Sequence, residues 1–290
     1  MKILVLGDIH SNHVALHECL SKVNKIDGII LTGDYISDCP YPQKVMEEIY
    51  YLRKYFPVWM IKGNREDYQI LHNAGKMSFK ANTSSTGSLY YTYQNLREED
   101  IIFFRTLKDL EKLNLKCGKK VEIFHGTIDS NRTGLYPGEP MTNLYLDKCE
   151  SDIIICAHTH YQFIYKYKNK ILLNPGSVGL PLGSDGKLQY AVLESDTRDA
   201  HIQLVQQNYP KDTIWREFAD SGLDSMARIY SKAIKKELMS GINYMPKILY
   251  KAQELMYSYG YGGDSMNIPE ICWEEAYDSI LENNAGNQIS

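Results

Sequence analysis

Nowhere in these 290 residues does an apolar run approach the roughly eighteen residues that a membrane-spanning helix needs, so no span is expected. The opening stretch, Met1-Lys2-Ile3-Leu4-Val5-Leu6-Gly7, is too short for a signal-peptide core and lacks a small-residue cleavage site. No C-x-x-C pair occurs among the six cysteines, which are scattered at Cys19, Cys39, Cys117, Cys149, Cys156 and Cys272. In a chain this long they read as free thiols of a reducing compartment, and a cytoplasmic location is expected. An excess of positive charge is missing too: 32 Lys and Arg stand against 36 Asp and Glu, a net charge of -4. That argues against a nucleic-acid coat and against a polybasic binder of membrane surfaces. It leaves nucleic acid open as a substrate, because bound metals can make a site locally positive. Internal repeats and low-complexity tracts are also lacking.

What remains is an ordinary globular composition, 43% hydrophobic and 23% charged. The length suits one large domain, or one domain with an appendage. Short apolar runs at residues 3–6, 28–31 and 58–61 read as buried parallel strands. Between them, residues 12–23 and 41–55 carry apolar side chains at helical spacing, giving β-α-β-α-β with right-handed crossovers. Residues 75–88 are rich in Ser, Thr, Asn and Gly and read as a loop, followed by a helix over about 97–113. Strands resume at 120–124 and 152–156. Two further pairs, 162–167 with 170–173 and 188–194 with 201–206, predict a second and more antiparallel sheet. From Tyr209 the texture becomes helical. Leu223, Met226, Ala227, Tyr230, Ile234 and Leu238 share one face before the stop at Gly241. A second helix runs to Gly260, and Pro269 sits in the first turn of a third. The expected architecture is α/β, a core over residues 1–208 and a helical extension over 209–290. That extension could be a lid, a homodimer interface or a cover on the sheet.

The chemistry sits where the apolar strands end. The first closes in Asp8-Ile9-His10, the second in Gly33-Asp34 and the third in Gly63-Asn64. Later strands close in His125-Gly126 and in His158-Thr159-His160. Open α/β sheets gather ligands outside the carboxyl ends of their strands. Five strand ends thus offer two carboxylates, one amide and four imidazoles to one edge. Singly, a Gly-Asp is often only a turn and a His-x-His a surface pair. In this order, each at a strand end, they predict a metal site. Asp34 is suited to bridge two cations about 3.5–4 Å apart, as two-metal hydrolases require. Oxygen and imidazole donors without thiolate suit Mn, Fe, Zn, Co or Ni.

These residues resemble the five motifs of the calcineurin-like metallophosphoesterases. Asn174-Pro175-Gly176-Ser177-Val178-Gly179 is similar to a motif of the small bacterial and archaeal phosphodiesterase branch. Asp8-Ile9-His10-Ser11-Asn12 followed by Ala15-Leu16 resembles members with a helical tail, some of them similar to asymmetric diadenosine tetraphosphate hydrolases. The resemblance covers about residues 1–206 and implies a two-sheet α/β sandwich. It implies two divalent ions, manganese first: one on Asp8, His10, Asp34 and His160, the other on Asp34, Asn64, His125 and His158. A hydroxide between them would attack phosphorus in line.

One position departs from the family. Many members carry a histidine after the ligating asparagine, taken to protonate the leaving group, and here it is Arg65. A guanidinium keeps its proton at neutral pH. Arg65 could bind phosphate, or pair with Glu66 or Asp67, and the leaving group would need another donor, His72 for example. Asn12 is a candidate substrate contact or a helix N-cap, and Arg132 a loop residue within reach of a phosphate. The expected catalytic set is therefore Asp34, Asn64 and Arg65. The expected substrate is a small phosphorylated molecule, a nucleotide or dinucleoside polyphosphate being favoured. The competing functions are a non-catalytic scaffold and a protein phosphatase. Seven intact donors weigh against the first, and the second usually needs longer recognition loops and more arginine.

Overall fold

The computed structural model describes residues 1–286. β1 (Lys2–Leu6) leads through α1 (His13–Lys22) to β2 (Gly28–Leu31), and α2 (Pro42–Tyr55) leads to β3 (Val58–Met60). The three strands run parallel. They can be continuous apolar runs because both faces are covered. Leu4 and Leu6 point into a cluster with Leu16 and Ile49 of the helices. Ile3 and Val5 point the other way, against a second sheet.

After α3 (Asn64–Asn73), α4 (Gly87–Gln94) and α5 (Glu98–Thr106), the chain builds that second sheet. Its strands are β4 (Leu110–Asn114), β5 (Lys120–Phe124), β6 (Ile153–Ile155), β7 (Gln162–Tyr167) and β8 (Lys170–Pro175), with α6 (Pro140–Lys148) between β5 and β6. β9 (Leu188–Ser195) and β10 (Ala200–Gln207) follow, then α7 (Lys211–Asp220), α8 (Leu223–Ser240), α9 (Met245–Ser258) and α10 (Glu270–Gly286). The sheet orders are β10-β9-β1-β2-β3 and β4-β5-β6-β8-β7. Val121, Ile123, Ile155 and Leu173 of one sheet meet Ile3, Val5 and Ile30 of the other. The fold is a two-sheet α/β sandwich with a helical C-terminal region.

Three sequence expectations are corrected. The helix over 97–113 stops at Thr106, and Leu110–Asn114 pairs antiparallel with β5. Leu113 is buried between the sheets there, and that burial outweighs a locally helical pattern. The β9–β10 pair joins the first sheet, where β9 runs antiparallel to β1. The second sheet keeps β5, β6 and β8 parallel, so it is mixed. Finally, α3 and α6 went unassigned, and the supposed loop over 75–88 already holds the first residues of α4.

The helices after Tyr209 divide into two packing groups. Ile214, Phe218, Leu223, Ala227, Ile234 and Leu238 of α7 and α8 complete the cluster that holds Leu4 and Leu6. Ile248, Ala252, Met256, Cys272 and Trp273 of α9 and α10 form a cluster of their own with Ile229 and Ala233. None of the described helices is long and apolar enough to cross a membrane.

Candidate metal centre

Five of the seven expected donors have backbones that ordinary side chains avoid. Asp8, His10, Asp34, His158 and His160 all adopt positive φ, between 47° and 66°. Each such residue costs about 1–3 kcal/mol, so surrounding bonds must hold it. Asp8 N donates to Gly33 O, and His10 N to Asp34 O at 3.0 Å. Ser177 Oγ and Gly179 N both donate to Asp8 O, at 2.6 and 3.0 Å. Asn174 Nδ2 reaches Ala157 O and Thr159 Oγ1, each at 3.0 Å, which fixes the His158–His160 turn. Gly63 has a different reason. A Cβ at that position would collide with the Asp34 carboxylate, so only glycine lets β3 end against β2.

The side chains converge in two sets, Asp8 with His10 and His160, and Asp34 with His125 and His158. Asp34 Oδ2 lies 3.8 Å from His10 Nε2 and 3.4 Å from His125 Nε2, between the sets. Asp8 Oδ1 lies 3.7 Å from His160 Nε2 and 3.9 Å from His125 Nε2. The outer nitrogen of three rings is already engaged. His10 Nδ1 meets the Asp38 carboxylate at 2.8 Å, His125 Nδ1 meets Thr32 O at 2.8 Å, and His160 Nδ1 meets Leu180 O at 2.9 Å. These partners are acceptors, so each Nδ1 carries a proton and each ring directs its Nε2 inward, where a bound cation would take the place of any proton on it.

That arrangement fits divalent cations. His10 Nε2 and His160 Nε2 face each other across 3.0 Å, two lone pairs that a shared cation would reconcile. Asp8 Oδ1, Asn64 Oδ1 and His125 Nε2 are buried with no hydrogen-bond partner among the described residues. Orphaned buried donors and acceptors of this kind are costly unless something satisfies them. Burial pushes the Asp8 carboxyl up to about 7. Burial and then His125 push His158 down to about 4, while burial and His10 hold His160 well below the usual range. Burial opposes protonation of His125 too, but Asp34 outweighs it and lifts the ring to about 9. Asp34 in turn is held well below the carboxylate range, because His125 and His10 outweigh its burial.

Arg65 is engaged with neither Glu66 nor Asp67. Its Nη2 pairs with Asp38 Oδ2 at 3.0 Å and approaches Tyr230 Oη at 3.4 Å, while its backbone N donates to Asp34 Oδ1 at 2.8 Å. Asp38 therefore joins His10, Arg65 and Tyr230, whose hydroxyl donates to Oδ1 at 2.7 Å. Burial opposes ionisation of Asp38, but Arg65 and His10 outweigh it and hold the carboxyl well below its usual range. Tyr230 comes from α8. Ser84 Oγ accepts from Ile229 N at 2.9 Å, and Gly87 leaves no room for a Cβ against Met226 O, so α4 and α8 meet closely there.

Two further expectations change. Asn12 does not face the cavity: its Oδ1 caps α1 through Ala15 N at 3.0 Å, and its Nδ2 donates to Gly179 O at 3.0 Å. Fully buried, it takes the N-cap role that the sequence also allowed, with Nδ2 further donating to Tyr209 Oη at 3.4 Å. His72 stacks on Phe79 with ring centroids 4.2 Å apart and bonds Met77 O, outside the cavity over the donors. Arg132 does stand nearby, its guanidinium 4.7 Å from the Tyr68 ring centre. The cavity over the donors measures about 170 Å³ and is also lined by Asp38, Tyr230 and Glu237. The sequence reading missed those three. Asp38 carried a signal, an acid four residues after Asp34. Tyr230 and Glu237 share a helix face that read as core.

The family model of the calcineurin-like phosphoesterase superfamily domain matches residues 1–198. The chain is similar to an uncharacterized protein of Methanocaldococcus jannaschii, 28% identical over 229 residues, which span 71% of this chain and 87% of that protein. A probable metallophosphoesterase of Methanothermobacter thermautotrophicus is 34% identical over 82 residues, 26% of this chain and 48% of that protein. Among solved structures, a metallophosphoesterase from Sphaerobacter thermophilus aligns with a TM-score of 0.68 at 20% identity, over 83% of this chain and 99% of its own. A hypothetical protein from Pyrococcus horikoshii aligns at 0.69, also at 20% identity, over 83% of this chain and 98% of its own. At such identities the two structures establish the fold alone.

Proposed function

The chain belongs to the calcineurin-like phosphoesterase superfamily, and from that premise we propose that it hydrolyses small phosphate esters or anhydrides at a centre holding two divalent ions. Manganese is the ion we favour, and nucleotides or dinucleoside polyphosphates are the favoured substrates. One observation carries the reading: six carboxylate and imidazole donors from four strand ends converge in two sets with Asn64 lining the cavity over them, and Asp8 Oδ1, Asn64 Oδ1 and His125 Nε2 are buried there without a hydrogen-bond partner among the described residues. Asp8, His10, Asp34 and His160 would hold one ion, and Asp34, Asn64, His125 and His158 the other. Bound there, the ions would supply Lewis acidity toward phosphoryl oxygens and toward a nucleophilic water.

The chain's own residues do the rest. Thr32 O, Leu180 O and Asp38 fix the tautomers of His125, His160 and His10, so each ring offers Nε2 inward. Arg65 is committed to Asp38 and acts as a positioning residue for His10. Arg132 has no carboxylate partner among the described residues, and its guanidinium is free to attract the substrate phosphate. Hydrolysis breaks the P–O bond, joins the oxygen of water to phosphorus and returns a proton to the leaving oxygen. Arg65 cannot deliver that proton.

The test is a screen of metal-reconstituted protein over phosphomonoesters, diesters, cyclic nucleotides and dinucleoside polyphosphates. Turnover with about two equivalents of Mn²⁺ bound is the expected result. A single tightly held zinc, or no turnover with Mn, Fe, Zn, Co or Ni in folded protein, would overturn the reading.

A further inference from the structure

The cavity over the donors, about 170 Å³, is smaller than sites for organic ligands usually are, roughly 300–1,000 Å³. It has room for a phosphoryl group and little of what that group is attached to. A second cavity of about 540 Å³ adjoins it and shares Asn64, Arg65, His158, Tyr230, Met245 and Pro246 with it. Its size falls in the usual range.

The wall of this second cavity is built jointly by the core and the C-terminal helices. Tyr68, Met77 and Leu89 come from the core, and Leu249 of α9 and Met266 before α10 face them. All five are half-buried, so each leaves apolar surface incompletely covered. Trp273 closes the back, its indole held by Nε1 donating to Ser85 Oγ at 3.0 Å. The lining contains no carboxylate and two guanidiniums, Arg65, whose charge is met by Asp38 behind it, and Arg132. A largely apolar chamber with one guanidinium not paired to a carboxylate, Arg132, and no acid in its lining, opening onto the candidate metal donors, matches one ligand chemistry: an anion with a bulky apolar group attached. The methionines favour adaptable over exact fit, since their side chains are flexible and polarizable.

We propose that the second cavity seats the non-reacting organic part of the substrate, and that it selects phosphate esters carrying a bulky apolar or aromatic group. This rests on the phosphoesterase reading above and names the substrate class for it. The C-terminal helices are then part of the substrate site, because α9 and the segment before α10 supply one of its walls.

The experiment compares two diesters of equal charge and identical leaving group, methyl p-nitrophenyl phosphate and naphthylmethyl p-nitrophenyl phosphate, on Mn²⁺-loaded full-length protein. The naphthylmethyl ester should show kcat/KM at least about tenfold higher, the scale of discrimination that apolar pockets reach. Leu249→Trp and Met266→Trp, each filling the chamber, should bring the ratio down toward one. Tyr250→Ala, on the exposed face of α9, should preserve it. Calorimetry with methylphosphonate and naphthylmethylphosphonate reads the same preference without turnover. Equal kcat/KM together with equal affinities, or filling variants that lower both substrates alike, would overturn the subsite. Preferential binding of the naphthyl phosphonate with neither diester hydrolysed would instead count against the phosphoesterase reading and leave the subsite standing.

Discussion

Asp38 is the residue whose removal should be most informative, because His10, Arg65 and Tyr230 all meet on its carboxylate. Oδ2 serves His10 Nδ1 and Arg65, Oδ1 takes the Tyr230 hydroxyl, and Ser88 Oγ receives the backbone N at 3.1 Å. A carboxylate on the outer nitrogen of a ligating histidine fixes its tautomer and raises its basicity. Asp38→Asn keeps the shape and removes the charge. Metal affinity should fall roughly 10–100-fold, the usual loss for such partners, with the fold intact by circular dichroism. Competition titration with a metal indicator checks this, and an unchanged affinity would refute the positioning role. Arg65 bears on a second prediction. With its guanidinium committed to Asp38 and His72 stacked away on Phe79, neither can protonate a departing alkoxide. Rates across phosphodiesters of graded leaving-group pKa should therefore fall steeply as the alcohol becomes less acidic. Nitrophenyl esters and nucleoside polyphosphate anhydrides should far outpace alkyl esters. A flat dependence, with chemistry shown to limit the rate, would mean another donor serves.

At the scale of elements, the turn between α8 and α9 carries its own switch in charge. Glu237 Oε1 accepts from Tyr244 N at 2.6 Å and Met245 N at 2.7 Å, capping α9 from inside the protein. Burial pushes the Glu237 carboxyl up to about 7 against these two bonds, with Asp38 adding to the rise and His10 opposing it. A carboxyl raised in the folded state contributes stability that is complete below its unfolded value, near 4.5, and is lost as pH rises through about 7. Glu237→Gln keeps an acceptor for both amides and removes the titration. Urea midpoints of the wild type should decline from pH 5 to pH 8 relative to those of the variant, and parallel profiles would count against the assignment.

The same scale shows which elements could be read from the sequence. β1, β2 and β6 are continuous apolar runs buried on both faces, and each ends in a donor, so strand and ligand announce one another. β4 could not be seen that way. Leu110, Glu111, Lys112 and Leu113 look helical alone, and only the pairing of Leu113 with Val121 makes them a strand. α3 was hidden for the opposite reason. Its buried residues are Asn64, Glu66 and Gln69, polar groups that break the apolar rhythm because they serve the site. Glu66 accepts from the backbone N of Gly63, Asp34 and Tyr35, tying the ends of β2 and β3 together. The seven donors were legible as types at strand ends. Asp38 gave a signal only as an acid near Asp34, and its contacts with His10 and with Tyr230 join segments distant in sequence.

Considered as a whole, the molecule brings its two sheets together at the donor cluster. Asp8, His10, Asp34 and Asn64 follow strands of the first sheet, while His125, His158 and His160 follow strands of the second. Ions bound there would therefore clamp one sheet to the other, besides relieving the orphaned atoms of Asp8, Asn64 and His125. The helical region is tied to the same point through Tyr230, Asp38 and His10. A ligand that binds only the folded state stabilises it by mass action, about 4 kcal/mol at a thousandfold excess over Kd. Saturating Mn²⁺ should thus raise the melting temperature by several degrees, reversed by EDTA. Trypsin cleavage within residues 209–290 should slow in parallel, because the clamp and the helices share His10 and Asp38. Asp34→Asn supplies the control. It removes the charge between the two sets while leaving the apolar packing beneath, so the variant should fold, lose turnover and show little thermal response to Mn²⁺. Equal melting of metal-free and metal-loaded wild type, with two equivalents confirmed by elemental analysis, would show that the ions bind the unfolded chain as tightly as the folded one, and would overturn the clamp.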